Sequence, residues 1–328
     1  MRLTRQWQRT IREGSGMSTA RHERVGALSG GRAQGRRQTR CSNSRALLAL
    51  LVLLLAAGGF STASQGYENV EFEASNSAQS TQILLRAQLF RPPGAGPFPA
   101  VVLMHGCGGW QPAVLHALRA HADFLVSHGF AVLNLDSFGP RNKAGGQVCA
   151  NWQLLQDARV YRTYDAFDAL HYLQAQDFID AQNIFLLGQS NGGSVAIKAA
   201  LASDPRAYGR AGSAFRAVVA YYPWCGVLGE PSLTLVSPLL IFGAGLDDWT
   251  PPHQCVQARA SGAAMRVKIY PQAAHSFDVD IVVQRYLGRW VGKNSYALMD
   301  SRERMLAFFA ERLTRVPDQG QASGRSSR

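Results

Sequence analysis

One stretch, Ile184 to Gly193, constrains the fold of this chain more than any other. It reads Ile-Phe-Leu-Leu-Gly-Gln-Ser-Asn-Gly-Gly, so four apolar residues that suit a buried strand run directly into the pattern G-x-S-x-G. Residues 194–201 then show the apolar periodicity of a helix. A strand, a sharp turn and a helix are the context in which such a serine exposes its hydroxyl as a nucleophile. The pattern therefore predicts a nucleophile at Ser190, and an ordinary glycine-rich turn before a helix is the alternative.

The positive charge of the chain belongs mainly to its first residues. The 328 residues carry a formal net charge of +12. Residues 1–45 contain 11 arginines and two glutamates and account for +9 of it, which leaves +3 for the rest of the chain. A surface for nucleic acid would need its basic residues on the folded part of the chain. The charge distribution therefore argues against a nucleic-acid partner.

An apolar run after the arginine-rich start is typical of an export signal. Residues 46–57 are all Ala, Leu or Val. This run suits the hydrophobic region of a signal peptide, whereas a membrane-spanning helix needs about 20 residues. Small residues before and at Ala63 predict cleavage there. We therefore predict a cleaved leader over residues 1–63, a periplasmic or secreted protein and no stable membrane anchor. An uncleaved anchor is the alternative, and translation begins at Met1 or Met17.

The residues after the leader predict a single α/β domain over 64–316 and a disordered tail over 317–328. Short apolar runs, typical of strands buried on both faces, alternate with segments of helical periodicity. This alternation indicates a mostly parallel central sheet with helices on both faces. The polar residues 64–80 are interpreted as an irregular lead-in. Residues 279–298 are interpreted either as a lid or as an additional packed element.

A serine nucleophile needs a histidine base, which a carboxylate usually orients. In the fold that the turn predicts, the order along the chain is serine, acid, histidine. Only His253 and His275 follow Ser190. We predict His275 as the base because it lies in a loop after the last predicted strand, whereas His253 begins a predicted helix. Asp247 and Asp248 are both candidates for the acid, and Asp247 is favoured.

Attack of a serine on a carbonyl group creates an oxyanion that needs two N–H donors. The backbone N–H of Asn191, at the start of a predicted helix, is one expected donor. The loop over residues 105–109, His-Gly-Cys-Gly-Gly, allows a close backbone approach, and the N–H of Cys107 is the other expected donor. The sequence has no phosphate-loop pattern and no zinc-ligand spacing, so we predict neither a cofactor nor a metal.

Two residues near the predicted strand ends are candidates for substrate binding. Arg141 could hold a substrate carboxylate, and a surface or ion-paired arginine is the alternative. Trp110 could line an apolar pocket together with Trp152, Trp224 and Trp249, although ordinary packing accounts for large aromatic residues equally well.

Four cysteines lie beyond the predicted leader, and they allow three pairings. All four could also be unpaired buried residues. We predict the disulfides Cys107–Cys149 and Cys225–Cys255, because each pair comes from loops at strand ends that we expect to be neighbours. Two disulfides would fit an exported protein.

In combination, these motifs resemble the dienelactone hydrolase-like family of the α/β-hydrolase superfamily over about residues 80–315. The resemblance rests on residues 101–109, 136–141, 188–193, 247–251, 270–271 and 275–278. It implies an α/β-hydrolase fold with Ser190, Asp247 and His275 at the positions of the catalytic triad. Dienelactone hydrolase itself has a cysteine nucleophile, so the serine indicates a general carboxylic-ester hydrolase rather than an enzyme for dienelactones.

The combined prediction is an exported serine hydrolase that cleaves a small-molecule ester or lactone through an acyl-enzyme on Ser190. One alternative is a binding protein that has this fold without catalysis. Another is a peptidase or acyltransferase, because the same three residues serve those reactions too.

Overall fold

The computed structural model describes residues 66–75, 82–201, 214–228 and 233–314. All of them lie in one compact unit. The predicted leader with its cleavage position and the predicted tail lie outside the described residues. None of the helices within these ranges is long and apolar enough to cross a membrane.

The described residues form twelve β-strands and six α-helices. The strands are β1 (Tyr67–Glu73), β2 (Leu84–Phe90), β3 (Phe98–Met104), β4 (Ala131–Asp136), β5 (Ile179–Gln189), β6 (Val218–Tyr221), β7 (Thr234–Leu235), β8 (Leu239–Ala244), β9 (Ser261–Gly262), β10 (Met265–Tyr270), β11 (Gln284–Tyr286) and β12 (Arg289–Val291). The helices are α1 (Pro112–Ser127), α2 (Gly145–Ala150), α3 (Trp152–Gln174), α4 (Asn191–Ala200), α5 (His253–Gln257) and α6 (Ser295–Ala310).

Eight strands form one sheet in the order β1-β2-β4-β3-β5-β6-β8-β10. β2 pairs antiparallel with both β1 and β4. Every other neighbouring pair is parallel. The predicted mostly parallel α/β sheet is therefore confirmed. Because the parallel strands end at one edge, the loops after β3, β5, β8 and β10 meet there.

Helices cover both faces of the sheet because neighbouring residues of a strand point to opposite sides. Val102 and Leu186 belong to the core that also includes apolar residues of α3 and α4. On the other face, Phe130 and Phe185 pack against Phe309 of α6. All residues of β4 and β8 are buried, as expected for strands covered on both sides.

The first strand corrects the prediction of an irregular lead-in over residues 64–80. In β1 only Val70 and Phe72 are half-buried, and the other residues are exposed. Phe72 stacks on Tyr172 of α3 with ring centroids 4.7 Å apart. A strand at the edge of a sheet needs few apolar residues. The polar sequence of β1 therefore concealed a strand.

Candidate active site

Ser190 lies on the sharp turn between β5 and α4. Its backbone adopts φ 52° and ψ −116°, a strained conformation for a residue other than glycine. A Cβ on Gly188 would lie 2.0 Å from the carbonyl oxygen of Gly192, and a Cβ on Gly192 would lie 2.4 Å from that of His105. The two glycines are therefore required, because backbone packs against backbone on either side of the serine.

His275 joins Ser190 and Asp247 in one hydrogen-bonded chain. Its Nε2 lies 2.9 Å from Oγ of Ser190, and its Nδ1 lies 2.7 Å from Oδ2 of Asp247. The rings of Tyr222 and Trp249 pack against the imidazole, with centroids 4.7 Å and 5.2 Å away. These contacts restrict rotation of the imidazole, so Nε2 remains directed at the serine oxygen.

Asp247 is held as an ionised hydrogen-bond acceptor. Its Oδ1 accepts the N–H groups of Trp249 and Thr250, both at 2.8 Å, and its Oδ2 accepts the Thr250 hydroxyl at 2.8 Å. Burial would raise the pKa of this carboxyl group. The charge of His275, together with the hydrogen bonds from His275 and Thr250, outweighs burial, so the pKa is lowered.

Asp248 and His253, the alternatives for the acid and the base, lie elsewhere. Asp248 accepts the N–H of Trp290 at 2.9 Å and the guanidinium of Arg285 at 3.3 Å, both on the β11–β12 hairpin. His253 is exposed at the first residue of α5. The structure therefore brings Asp247 and His275 to the serine and leaves the two alternatives away from it.

The loop after β3 lies directly against the serine. A Cβ on Gly106 would lie 3.2 Å from Cβ of Ser190. The carbonyl oxygen of Gly106 accepts hydrogen bonds from Nδ1 of His105 at 2.7 Å and from the N–H of Gly109 at 3.2 Å. Since the C=O and N–H of one peptide plane point in opposite directions, these bonds direct the N–H of Cys107 away from His105 and Gly109.

The second expected donor is at the start of α4. Asn191 is the first residue of this helix, and the N–H groups of a first helical turn have no acceptor within the helix. Within the described ranges, neither this N–H nor that of Cys107 has a hydrogen-bond partner. Two available donors thus lie next to Ser190 in the chain and in the adjoining loop, as an oxyanion hole requires.

Both expected cysteine pairs lie at disulfide distance. The sulfur atoms are 2.16 Å apart in Cys107–Cys149 and 2.04 Å apart in Cys225–Cys255. The first pair joins the loop after β3 to α2. These segments also touch through their backbones, because a Cβ on Gly145 would lie 1.9 Å from the carbonyl oxygen of Gly108. The segment that carries the Cys107 N–H is therefore fixed both by a covalent link and by close backbone packing.

A cavity of about 240 Å³ opens at Ser190 and His275. Its wall combines the glycine-rich loop with apolar side chains, among them Val114, Trp249, Val279, Ile281 and Val291. Gln111, Gln284 and Tyr286 add uncharged polar groups, and the described lining contains no Asp, Glu, Lys or Arg. Across the described part of the chain, no three His, Cys, Asp or Glu side chains are grouped as metal ligands would be. The size and lining suit a small uncharged group.

Arg141 and Trp110, the predicted substrate-binding residues, lie outside this lining. The Arg141 guanidinium donates to both carboxylate oxygens of Asp165 at 2.9 Å and 2.7 Å, and to the carbonyl oxygen of Ser137 at 2.9 Å. A buried guanidinium needs such partners, so the ion-paired alternative describes Arg141. Of the four tryptophans predicted as pocket candidates, Trp249 lines the cavity, and Trp110, Trp152 and Trp224 are not among its described lining residues.

Three buried residues behind the serine were missed from the sequence. Tyr222 lines the cavity, has a φ of 38° and donates its hydroxyl to Asp278. Arg162 of α3 contacts both His105 and Asn191. Asp278 lies in the 275–278 segment on which the family resemblance rests, but that pattern assigned it no role, and Tyr222 and Arg162 belong to no pattern of fixed spacing. Only the position of Arg162 among the buried residues of a helix could have indicated it.

Solved structures similar to this chain share its fold. A putative dienelactone hydrolase from Klebsiella pneumoniae is 19% identical with a TM-score of 0.52, over 74% of this chain and 99% of that one. The propionate-bound esterase Est2 of Thermogutta terrifontis is 16% identical with a TM-score of 0.53, over 78% and 97%. A dienelactone hydrolase-like promiscuous phosphotriesterase from metagenomic libraries is 17% identical with a TM-score of 0.53, over 75% and 99%. At such identities the similarity shows the fold alone.

The sheet order, the strained serine turn and the bonded histidine together define an enzyme of the α/β-hydrolase type with a serine at the nucleophile position. The model of the dienelactone hydrolase family matches residues 85–313, well over half of the chain. The chain therefore belongs to the dienelactone hydrolase family, and the resemblance drawn from its motifs is confirmed. No curated protein matches the chain.

Proposed function

We propose that this protein is an exported serine hydrolase that cleaves small, uncharged carboxylic esters or lactones. The observation that carries the proposal is the hydrogen-bonded chain of Ser190, His275 and Asp247 at the cavity. A serine hydroxyl needs an adjacent base to attack a carbonyl carbon, and the base needs a carboxylate to orient it. Membership of a hydrolase family supports the same reaction type.

In the first half of the reaction, Oγ of Ser190 attacks the ester carbonyl carbon while Nε2 of His275 accepts the hydroxyl proton. The carbonyl oxygen becomes an oxyanion that accepts hydrogen bonds from the N–H groups of Cys107 and Asn191. His275 then passes its proton to the departing alcohol, and the acyl group remains on the serine. Asp247 stabilises the positive imidazole throughout.

In the second half, a water molecule takes the place of the alcohol. His275 accepts a proton from this water as it attacks the acyl carbon, and the same two N–H groups stabilise the new oxyanion. Collapse of the intermediate returns the proton to Oγ of Ser190 and releases the carboxylic acid. For a lactone, acid and alcohol leave as one molecule.

The uncharged lining defines the expected substrate class. A charged group that entered the cavity would lose its hydration without gaining an ion pair. Arg141, which could otherwise bind a substrate carboxylate, is bonded to Asp165. Short acyl groups instead find apolar contacts with Val279 and Ile281. We therefore expect acetyl to butyryl esters to react faster than hemisuccinate esters of the same alcohol.

The proposal of export is supported by the leader pattern and by the two cysteine pairs, since disulfides persist in oxidising compartments. The full chain should be expressed in a bacterial host, and its periplasmic fraction should be sequenced from the amino terminus. We expect a mature protein that begins at Ser64. An uncleaved leader in the membrane fraction would contradict export and leave the hydrolase assignment intact.

The reaction is tested by hydrolysis of p-nitrophenyl acetate and butyrate. Ser190→Ala should lower kcat by about 10⁵-fold or more, because the nucleophile is lost. Ser127→Ala, at the exposed end of α1, is the matched control and should retain the full rate. Unchanged hydrolysis in Ser190→Ala would overturn the proposed nucleophile.

A covalent probe separates an enzyme from a binding protein. A fluorophosphonate should modify the wild-type protein at Ser190, and peptide mass spectrometry should locate the adduct. The similar Thermogutta esterase 2 is known phosphoramylated by tabun, which favours an organophosphorus probe. Wild-type protein that neither reacts with the probe nor hydrolyses any ester or lactone of a panel would be a binding protein.

A further inference from the structure

Arg162, in the middle of α3, is a fully buried arginine close to the proposed site. Its Nη1 donates to Oδ1 of Asn191 at 2.6 Å. Its Nη2 donates to the carbonyl oxygen of His105 at 2.5 Å. One planar guanidinium thus bonds two segments that no other described side chain of α3 joins. These are the segments that carry the two available N–H donors.

The positive charge of Arg162 has no direct counter-ion in the described ranges. Asp165, one turn further along α3, is bonded to Arg141 instead. Burial lowers the pKa of Arg162 to about 10, so the side chain remains charged at neutral pH. A buried charge without a paired carboxylate is costly to a folded protein. Packing alone therefore does not account for an arginine at this position.

His105 connects the guanidinium to the Cys107 donor. Burial, with the charge of Arg162, lowers the pKa of His105 well below its usual value, so the imidazole is neutral. A neutral ring fits its hydrogen bonds, because Nδ1 donates to the Gly106 oxygen at 2.7 Å and Nε2 accepts the N–H of Ser137 at 3.2 Å. Nη2 of Arg162 also lies 3.3 Å from Nδ1. The Gly106 oxygen and the Cys107 N–H belong to one peptide plane. The hydrogen bond from His105 therefore sets the direction of that N–H.

We propose that Arg162 is a positioning residue of the oxyanion hole. Its two arms fix the Asn191 segment and, through His105, the Cys107 peptide at one separation. Its charge also contributes a positive potential behind both donors, which stabilises a negative oxyanion more than a neutral ester carbonyl. This inference rests on the proposed function, because it concerns the same serine.

Arg159 supplies a matched control on the same helix. It is buried, and burial lowers its pKa to about 10 as well. Its guanidinium lies 4.3 Å from the ring centroid of Trp224, and no hydrogen bond from it to the two donor segments occurs among the described residues. Replacement of Arg159 therefore removes a buried cation from α3 without removing the link between those segments.

The experiment compares Arg162→Gln and Arg162→Lys with Arg159→Gln in the full protein. Each variant is assayed with p-nitrophenyl butyrate, and the end point of fluorophosphonate labelling counts the active sites. Inhibition by a trifluoromethyl ketone, which binds serine as a tetrahedral oxyanion, is measured in parallel. We expect Arg162→Gln to lower kcat per labelled site by about 10²-fold, the usual effect of impairing an oxyanion donor. We expect KM to change less than threefold and the trifluoromethyl ketone Ki to rise as kcat/KM falls.

Arg162→Lys keeps the charge and loses the planar fork, so we expect an intermediate loss of kcat. Arg159→Gln should stay within threefold of the wild type. A purely structural role would lower the melting temperature of the Arg162 variants and leave kcat per labelled site and Ki unchanged, which would overturn the inference. If Arg162→Gln does not fold, kcat per labelled site and Ki of Arg162→Lys test the inference in its place. A wild-type protein without activity or labelling would instead remove the proposed function.

Discussion

Two buried carboxylate–imidazole pairs in this molecule have the same hydrogen-bond length, although Asp247 bonds Nδ1 of its histidine and Asp278 bonds Nε2. Asp247 lies 2.7 Å from His275, and Asp278 lies 2.7 Å from His121. All four side chains are buried. The pairs differ in what the second ring nitrogen meets. In His275 it faces Oγ of Ser190 at 2.9 Å, whereas in His121 it faces Nε of Arg302 at 3.5 Å.

The carboxylates differ in a related way. Apart from His275, Asp247 accepts hydrogen bonds from its own loop. Asp278 bonds to three separate elements, through His121 of α1, Gln189 of β5 and Tyr222 after β6. A carboxylate–imidazole pair is thus not in itself catalytic. Such a pair can take part in catalysis where the second ring nitrogen contacts a nucleophile at a cavity. Where both ring nitrogens contact other buried side chains, the pair instead links parts of the fold.

The largest expected difference is in kcat between variants of the two histidines. His275→Gln should lower kcat for p-nitrophenyl butyrate by about 10⁵-fold because the base is lost. His121→Gln should keep kcat within about tenfold, since His121 does not contact the serine. The assay is normalised to the folded fraction measured by circular dichroism. Equal losses of activity would show that the comparison fails.

Asp247→Asn should give the next largest effect. The amide retains the shape of the side chain but cannot stabilise the positive imidazole, so kcat should fall by about 10⁴-fold. Asp248→Asn is the control and should change kcat by less than threefold. A larger effect from Asp248 than from Asp247 would reverse the assignment of the acid.

Asp278→Asn should act on stability. Loss of one partner of a buried pair lowers the free energy of unfolding by about 3–5 kcal/mol. Urea denaturation of the wild type and the variant at pH 7 measures this difference. A change smaller than 1 kcal/mol, which is about the value of an exposed ion pair, would show that Asp278 does not hold its three elements together.

The smallest effect is the pH dependence of stability. Burial lowers the pKa of His121 below its usual value despite the neighbouring Asp278. The unfolded chain therefore protonates His121 at a higher pH than the folded protein does. The contribution of neutral His121 to the free energy of unfolding is complete above pH 6.5 and is lost as the pH falls below that value. His121→Gln should reduce the slope of unfolding free energy between pH 6.5 and 5 by up to about 1.4 kcal/mol per pH unit. Parallel curves for wild type and variant would contradict this sign.

The pKa of Asp278 adds a second step at lower pH. Burial would raise it, but the hydrogen bond and charge of His121, with the other donors, lower it. The stability that Asp278 contributes is therefore complete above its unfolded pKa near 4 and is lost as the pH falls through the lower folded value. Asp278→Asn should flatten the stability profile below pH 4.

The parts of the site that the sequence predicts are those with a short pattern or a fixed chain order. The serine turn has both, and His275 follows from order. The sequence distinguishes Asp247 from Asp248 less clearly. The hydrogen bonds that Asp247 accepts from the N–H groups of Trp249 and Thr250 determine which carboxylate faces His275, and no sequence pattern shows them. Alternating strands and helices sufficed for the sheet, but β1 has too few buried residues to show that pattern.

The buried networks could not be predicted for a different reason. His121 and Asp278 are 157 residues apart in the chain, and Arg162 and His105 are 57 apart. Partners at such distances are set by how the elements pack, which no local pattern records. The sequence likewise left both roles of Arg141 open, because its bond to Asp165 depends on the position of α3.

The backbone contact between Gly145 and Gly108 makes one part of the cavity wall much less tolerant of substitution than the rest. On that side the loop and α2 touch without side chains and are joined by Cys107 and Cys149, so hardly any substitution there can enlarge the cavity and keep its shape. Another part of the wall consists of ordinary side chains on the segment from Val279 to Val291. Directed evolution toward bulkier acyl groups should therefore accumulate its changes in that segment.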